Sequence, residues 1–147
     1  MSHKLICISK SPDDTVNNAC ELAKKINKPA LIGLMGGLGV GKTVFAKGIA
    51  FGLGVKELVT SPTFLGISEY YSGRLPFVHM DFYKKVQKKE SIESYLRSGS
   101  VVLVEWMENY SLLFSSGLNL DISVYIEYVK DKNRLSLENE RKITLEQ

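Results

Sequence analysis

The chain has 147 residues, of which 44% are hydrophobic and 24% are charged, and its formal net charge is +3. This length predicts a single domain over residues 1–147 with a substantial core, and the composition is typical of a soluble globular protein. The mild positive charge permits an anionic ligand but lacks the concentrated basic stripe of most nucleic-acid-binding proteins, and no apolar run reaches membrane-spanning length.

The two cysteines, Cys7 and Cys20, are too few and too far apart to form a metal-binding motif. We expect both to be buried free thiols in a reducing compartment. No apolar signal segment opens the sequence, so a cytoplasmic protein is expected.

The first part of the chain predicts two strands and two helices. Residues 5–9 form a short strand, and Pro12 then opens a helix whose apolar residues recur at helical spacing as far as Ile26. Residues 30–35 are continuously apolar, as expected of a strand that is buried on both faces. After a glycine-rich turn, a second helix is predicted to run to Leu53.

The second part of the chain is richer in predicted strands. In chain order its elements are a hairpin of strands 64–71 and 75–80, a polar helix 85–97, a buried strand 101–106, and strands 121–129, 134–138 and 142–145. The early part therefore predicts a parallel sheet, to which the late part adds antiparallel strands. The fold class is α/β, with a mixed sheet that carries helices on its faces.

Residues 36–43 match the pattern G-x-x-x-x-G-K-[ST] directly after an apolar strand and at the start of a helix, which is the context of a P-loop. Small residues let successive backbone N–H groups turn toward a phosphate, and the helix N-terminus adds positive potential. Lys42 would contact the β- and γ-phosphates, and the Thr43 hydroxyl would bind magnesium. The sequence thus predicts a P-loop NTPase fold that binds ATP and Mg²⁺. The alternative is a glycine-rich turn without a ligand. The predicted nucleotide-binding residues of the loop are Gly37, Leu38, Gly39, Val40, Gly41, Lys42 and Thr43.

A P-loop also requires an acid at the end of a neighbouring strand to hold the metal. Glu105 ends the apolar run 101–104, and Asp81 ends the run 76–80. We expect both acids to act in catalysis and, with Thr43, to face the metal ion. The spacing leaves open which one contacts the metal directly, and each acid alone could be a solvated strand end.

The segment 61–64, Ser-Pro-Thr-Phe, lies where P-loop proteins often carry a switch that senses the γ-phosphate. Thr63 within it is a candidate nucleotide contact. The alternative is a turn in which Pro62 extends Ser61 and Phe64 enters the core.

Two other features, the aromatic neighbours of the acids and a lysine cluster, can be interpreted either as structural or as functional. His79 and Trp106 stand next to the two acids, where packing is the more common role. A basic cluster follows Asp81, and it is either a solvated helix face or a surface for RNA or an acidic partner. Its members are Lys84, Lys85, Lys88 and Lys89.

With these residues assembled, the chain resembles the TsaE family (also called YjeE), the small P-loop ATPases of bacterial threonylcarbamoyladenosine tRNA modification. The resemblance covers almost the whole chain and rests on five motifs in the same order. They are the P-loop at 36–43, Ser-Pro-Thr-Phe at 61–64, Glu-Tyr at 69–70, His-Met-Asp-Phe-Tyr-Lys at 79–84, and the apolar strand ending in Glu-Trp at 101–106. Two positions depart from the family's pattern: Gly37 replaces the usual Asp or Glu, and Lys84 replaces a common arginine.

The resemblance implies a partner as well as a ligand. Such an ATPase works with the TsaB–TsaD complex, in which TsaD modifies N6 of adenosine 37 in tRNAs reading ANN codons. It does not transfer the threonylcarbamoyl group itself, it resets the complex between turnovers, and any tRNA contact is indirect. The resemblance also suggests that Ser11 and Arg134 border the adenine.

Two rival classes of function are weighed against this interpretation. A small-molecule kinase would need an acceptor pocket and usually a lid with arginines, and neither is evident in the sequence. A binding-only module would lack useful acids, whereas Asp81 and Glu105 are present. The four arginines offer no evident arginine finger, so we expect slow hydrolysis that depends on a partner.

Overall fold

The computed structural model describes residues 2–62, 64–110, 117–130 and 140–147 of the chain. Seven strands and three α-helices are described, together with a short 3₁₀ helix at Met107–Asn109. In chain order the elements are β1 (Lys4–Ser9), α1 (Pro12–Lys24), β2 (Ala30–Met35), α2 (Lys42–Gly52), β3 (Ile67–Tyr70), β4 (Phe77–Asp81), α3 (Lys89–Arg97), β5 (Val101–Glu105), β6 (Ile122–Tyr128) and β7 (Arg141–Glu146).

The strands form one sheet in the order β1-β7-β6-β2-β5-β4-β3. The four central strands, β6, β2, β5 and β4, are parallel, and antiparallel pairs lie at both edges. The predicted α/β fold with a mixed sheet is confirmed. The hairpin predicted in the late part is also confirmed, since β3 pairs antiparallel with β4. Only β1 departs from the expectation that the early part is parallel, because it pairs antiparallel with β7. Chain order does not set the neighbours of an edge strand.

The helices cover the sheet unequally. Helices α1 and α2 pack against each other on one face, and α3 with the 3₁₀ helix lies against the other. The contact between α1 and α2 is unusually close, because a Cβ atom on Gly48 would lie 2.5 Å from the Ala19 Cβ, and one on Gly52 would lie 2.6 Å from the Ala23 Cβ. Helix α2 starts where the P-loop ends, so this packing also fixes the position of α1 relative to the loop.

Several boundaries differ from the sequence-based expectation. Strand β3 starts at Ile67, and Phe64 is 96% exposed, so the interpretation that Phe64 enters the core is wrong. Helix α3 starts only at Lys89, because Lys88 has an extended backbone with ψ of 149°. Cys20 is buried as expected, whereas Cys7 is half-buried. The predicted strand 134–138 lies outside the described residues. Among the described helices, none is long and apolar enough to cross a membrane.

Candidate functional site: the P-loop and its two flanks

The P-loop connects the carboxyl end of β2 to the amino end of α2, at the edge of the sheet where all four parallel strands end. Two of its glycines are required by the local geometry. Gly41, the N-cap of α2, has φ of 108°, a left-handed conformation that other residues rarely adopt. A Cβ on Gly36 would lie 2.4 Å from the Ile126 carbonyl oxygen of β6. The loop backbone is therefore pressed against the sheet edge with its helix N-terminus facing outward.

Lys42 is 6% exposed and folds back over the loop. Its Nζ donates hydrogen bonds of 2.7 Å to the carbonyl oxygens of Gly36 and Gly37, and it lies 3.9 Å from the centre of the Trp106 ring. Burial lowers the pKa of Lys42, and the nearby carboxylates of Glu108, Glu105 and Asp81 oppose that shift. Trp106 thus contacts the P-loop cation rather than only filling the core.

The two strand-end acids lie side by side, because Asp81 of β4 and Glu105 of β5 are register partners. Glu105 is 2% exposed, and both its oxygens are engaged. Its Oε1 accepts a hydrogen bond of 2.9 Å from Thr43 Oγ1, and its Oε2 lies 3.0 Å from His79 Nε2. The structure therefore joins the P-loop threonine and a strand-end acid directly.

Asp81 is more exposed than Glu105 and has different partners. Its Oδ2 accepts from Ser61 Oγ at 3.2 Å, and its Oδ1 accepts from the backbone N–H of Tyr83 at 2.9 Å. The first of these bonds connects the acid to the segment that precedes Phe64. Thr63 lies outside the described residues, so its predicted nucleotide contact stays a prediction.

The far end of the P-loop borders a cavity of about 140 Å³. Ser11 lines this cavity, as does Arg141. Ser11 is the N-cap of α1, where its Oγ accepts from the backbone N–H of Asp14 at 3.1 Å. Arg134, the arginine expected beside the adenine, lies outside the described residues. Gly39, Val40 and Gly41 form the loop side of the cavity.

Three side chains at the loop were not assigned by the sequence analysis. Arg141 Nε donates to the Val40 carbonyl at 3.0 Å, and its guanidinium lies 4.2 Å from the centre of the Tyr128 ring. The Tyr128 hydroxyl donates to the Gly39 carbonyl at 3.1 Å. Arg141 is one of only four arginines, and that scarcity was the available signal.

Glu108, the third of these side chains, stands in the 3₁₀ helix after β5, and its Oε2 accepts from the Gly36 N–H at 3.3 Å. Burial raises the pKa of Glu108, while the hydrogen bond from Gly36 and the charge of Lys42 oppose that rise. A carboxylate therefore lies against the first N–H group of the loop. Its position three residues after Glu105 was the signal in the sequence.

A second, larger cavity of about 940 Å³ lies over one face of β1, β7 and β6 and reaches the P-loop at Gly36 and Gly37. Its described lining includes Ile8, Tyr125 and Thr144, but it does not include the predicted catalytic acids. We therefore place the candidate site at the P-loop and the two acids.

The donor set at the loop fits a magnesium ion. Within the described ranges, no cluster of three or more His, Cys, Asp or Glu residues could hold a metal alone. Magnesium at a nucleotide usually takes only one or two carboxylates beside phosphate and water, so a larger cluster is not needed. The Thr43 hydroxyl and the carboxylates of Glu105 and Asp81 are hard oxygen donors of that kind.

Comparison with known proteins identifies the family of the chain. Residues 9–141 match the family described as "Threonylcarbamoyl adenosine biosynthesis protein TsaE". A protein of Bacillus subtilis with the name tRNA threonylcarbamoyladenosine biosynthesis protein TsaE is 42% identical over 99 residues, which cover 65% of this chain and 62% of that protein. The protein of the same name from Treponema pallidum is 32% identical over 136 residues, 87% of this chain and 95% of its own length.

A solved structure adds to these sequence matches. The crystal structure of Bacillus subtilis YdiB superposes with a TM-score of 0.75 at 32% identity, covering 99% of this chain and 86% of that one. The family match spans far more than half of the chain. The chain covers less than two thirds of the length of the Bacillus protein but nearly all of the Treponema protein. The chain therefore belongs to the TsaE family of threonylcarbamoyl adenosine biosynthesis proteins.

Proposed function

We propose that this protein binds ATP with Mg²⁺ and hydrolyses it in the cytoplasm, in support of N6-threonylcarbamoylation of adenosine 37 in tRNAs reading ANN codons. The observation that carries the proposal is the hydrogen bond from Thr43 Oγ1 to Glu105 Oε1, beside the buried cation of Lys42. A glycine-rich turn without a ligand has no need of a buried acid against its threonine, because burying a carboxylate is costly.

Each residue at the loop has a role in the proposed reaction. The loop N–H groups and Lys42 bind the phosphates, and Thr43 binds magnesium, which when bound neutralises the charge that develops on the phosphates. Glu105 accepts the hydrogen bond of the Thr43 hydroxyl and faces the metal ion. Asp81 is more exposed and orients water there. Ser11 and Arg141 border the cavity into which the base would extend, where a guanidinium can stack on a purine.

The proposed partner is the TsaB–TsaD complex, and the positions of the arginines support an incomplete site. Three arginines are described. Arg74 donates to carbonyl oxygens at the end of α1, Arg141 donates to the Val40 carbonyl of the P-loop, and Arg97 ends α3 close to the amino end of β5, at the opposite edge of the sheet from the acids. None of the three places a guanidinium on the side of the acids, so slow hydrolysis in isolation follows. The protein itself does not transfer the threonylcarbamoyl group.

An exposed apolar and basic surface next to Asp81 suits such docking. Phe64 is 96% and Leu65 67% exposed, and Gln87 Nε2 donates to the Leu65 carbonyl at 3.1 Å, which joins this segment to the basic loop after Asp81. Exposed apolar side chains with a charged rim are typical of a protein interface. We propose that ATP favours docking here and that hydrolysis weakens it, so that the complex is reset.

Nucleotide binding is tested first by replacing the P-loop cation. Lys42→Ala removes charge-assisted contacts worth about 1.5–3 kcal/mol, so calorimetric titration with ATP and Mg²⁺ should show binding weakened about tenfold or more. Lys47→Ala, at an exposed position of the same helix, is the matched control and should bind like the parent. Equal affinities for Lys42→Ala and the parent would contradict the P-loop assignment.

The biological role is tested by in vitro formation of threonylcarbamoyladenosine on tRNA with TsaB and TsaD. We expect this protein to raise the yield over several turnovers and to need ATP for it. Phosphate release without the two partners should be slow, and adding them should accelerate it. Equal accumulation of product without this protein would overturn the proposed role.

A further inference from the structure

His79 is a buried histidine whose contacts point toward the magnesium side of the site. It is 0% exposed, in β4, and its Nε2 lies 3.0 Å from Oε2 of the equally buried Glu105. Its Nδ1 is buried and has no hydrogen-bond partner among the residues that the structure describes. Among the described residues, the ring therefore makes a single hydrogen bond, which joins its Nε2 to a candidate catalytic acid.

The geometry fixes which ring nitrogen carries the proton. An ionised carboxylate only accepts hydrogen bonds, so the Nε2 of His79 must donate to Glu105. A proton on Nδ1 alone would leave a buried N–H group without an acceptor and would set the lone pair of Nε2 against a carboxylate oxygen. The structure thus assigns the tautomer with the proton on Nε2.

The carboxylate of Glu105 is held at both oxygens by this arrangement. Its Oε2 is bonded to His79, and its Oε1 accepts from Thr43 Oγ1 at 2.9 Å. Rotation of the carboxylate would break both bonds at once. The His79 ring also stacks on Phe77, with 6.2 Å between ring centres, and its backbone lies in the centre of the β3-β4-β5 ladder. His79 is therefore a donor with little freedom of its own.

We propose that His79 is a positioning residue, whose Nε2–H holds the Glu105 carboxylate so that Oε1 faces Thr43, the residue at which the magnesium ion would bind. This proposal rests on the proposed function, since it concerns the metal side of the same site. Hydrogen-bond partners of a metal-binding group commonly contribute about 10–100-fold to metal affinity or activity. His79 acts through Glu105 and does not contact the nucleotide.

The test compares ATP binding with Mg²⁺ and ATP binding in the presence of a chelator. His79→Leu removes the donor, and we expect binding with Mg²⁺ to weaken about tenfold while binding without metal stays within about twofold of the parent. His79→Gln keeps an N–H donor at similar reach, and it should remain within about threefold of the parent under both conditions.

The matched control is Val78→Ala, because Val78 is buried in the same strand but belongs to the core on the opposite face of the sheet. It should lower thermal stability without changing either affinity. A loss of affinity in His79→Leu that is equal with and without Mg²⁺, or that His79→Gln fails to restore, would reduce His79 to a structural role and overturn the proposal.

A spectroscopic readout does not depend on nucleotide and covers the case in which His79→Leu fails to fold. In ¹⁵N-labelled parent protein without nucleotide, the His79 imidazole should show a proton on Nε2. His3 is the other histidine and is exposed, so His3→Gln identifies its signals. An Nε2 atom without a proton would overturn the proposal by itself. Failure of the parent to bind ATP at all would instead overturn the proposed function, while the assigned tautomer would still be measured.

Discussion

The P-loop is held from two sides by different kinds of interaction. On the inner flank, which we define as Glu105 and His79 on β5 and β4, the Glu105 carboxylate is hydrogen-bonded to Thr43 of the loop and to His79. On the outer flank, defined as Tyr128 and Arg141 on β6 and β7, the contacts are hydrogen bonds to carbonyl oxygens of the loop. The inner flank therefore contacts a side chain that is proposed to bind the metal ion. The outer flank contacts only the backbone of the loop and fixes its conformation.

The largest effect is expected on the inner flank. Glu105→Gln keeps the size of the side chain but offers only one acceptor to the two donors, Thr43 and His79. We expect ATP hydrolysis to fall about 10–100-fold, with ATP binding in the absence of metal little changed. Single-turnover phosphate release measures the first quantity and calorimetry the second.

The exposed Glu90→Gln on α3 serves as the control for this substitution and should hydrolyse ATP like the parent. Parent-like hydrolysis and metal dependence in Glu105→Gln would remove the catalytic assignment of that residue, and the inner flank would then be no different from the outer one.

A smaller effect of another kind is expected on the outer flank. Arg141→Gln weakens the bond to the Val40 carbonyl and removes the cation from the small cavity, so ATP binding should weaken about fivefold, an effect of about 1 kcal/mol. The rate of hydrolysis at saturating ATP should stay within about twofold of the parent. Arg97→Gln, at the exposed end of α3, is the matched control. A larger change in rate than in affinity would show that the outer flank also takes part in the chemistry.

The smallest effect is expected at Glu108, which lies against the Gly36 N–H between the flanks. Glu108→Gln removes a negative charge near the phosphates, so it should tighten ATP binding about two- to threefold at pH of about 7.5. Burial raises the pKa of Glu108, so the parent side chain becomes neutral at higher pH than an ordinary glutamate. The advantage of the variant should therefore shrink as the pH is lowered to about 5.5.

Titration calorimetry of the parent and Glu108→Gln side by side at each pH separates this effect from the titration of ATP itself. An advantage that stays constant down to pH of about 5.5 would contradict the assigned direction of the pKa shift.

Glu105 of the inner flank and its neighbour Asp81 were predictable from sequence, because each ends a local apolar run. Once β4 and β5 are parallel neighbours, their register brings Asp81 and Glu105 together. The pairing of His79 with Glu105 could not be predicted in the same way, since it depends on side chains from two strands meeting on one face of the sheet. Local patterns show that a residue ends a strand but not which side chain it meets.

The contacts of the outer flank could not be predicted from the sequence, and the reason is stronger. Arg141 contacts Val40 over a separation of 101 residues, and only the insertion of β7 between β1 and β6 brings them together. Phe64 shows the opposite failure, because an aromatic residue before an apolar strand is usually buried, whereas this one is almost fully exposed. The hydrophobic pattern therefore predicted the strands of the sheet but not the exposed position of Phe64 near Asp81.

The close contact of α1 and α2 has a consequence for the small cavity at the end of the P-loop. Ser11 caps α1 and Gly41 caps α2, so the two helices form opposite walls of the small cavity. Their separation is set by backbone contact at Gly48 and Gly52, which cannot be relieved by repacking of side chains. The width of this cavity is therefore fixed by two glycines that do not line it.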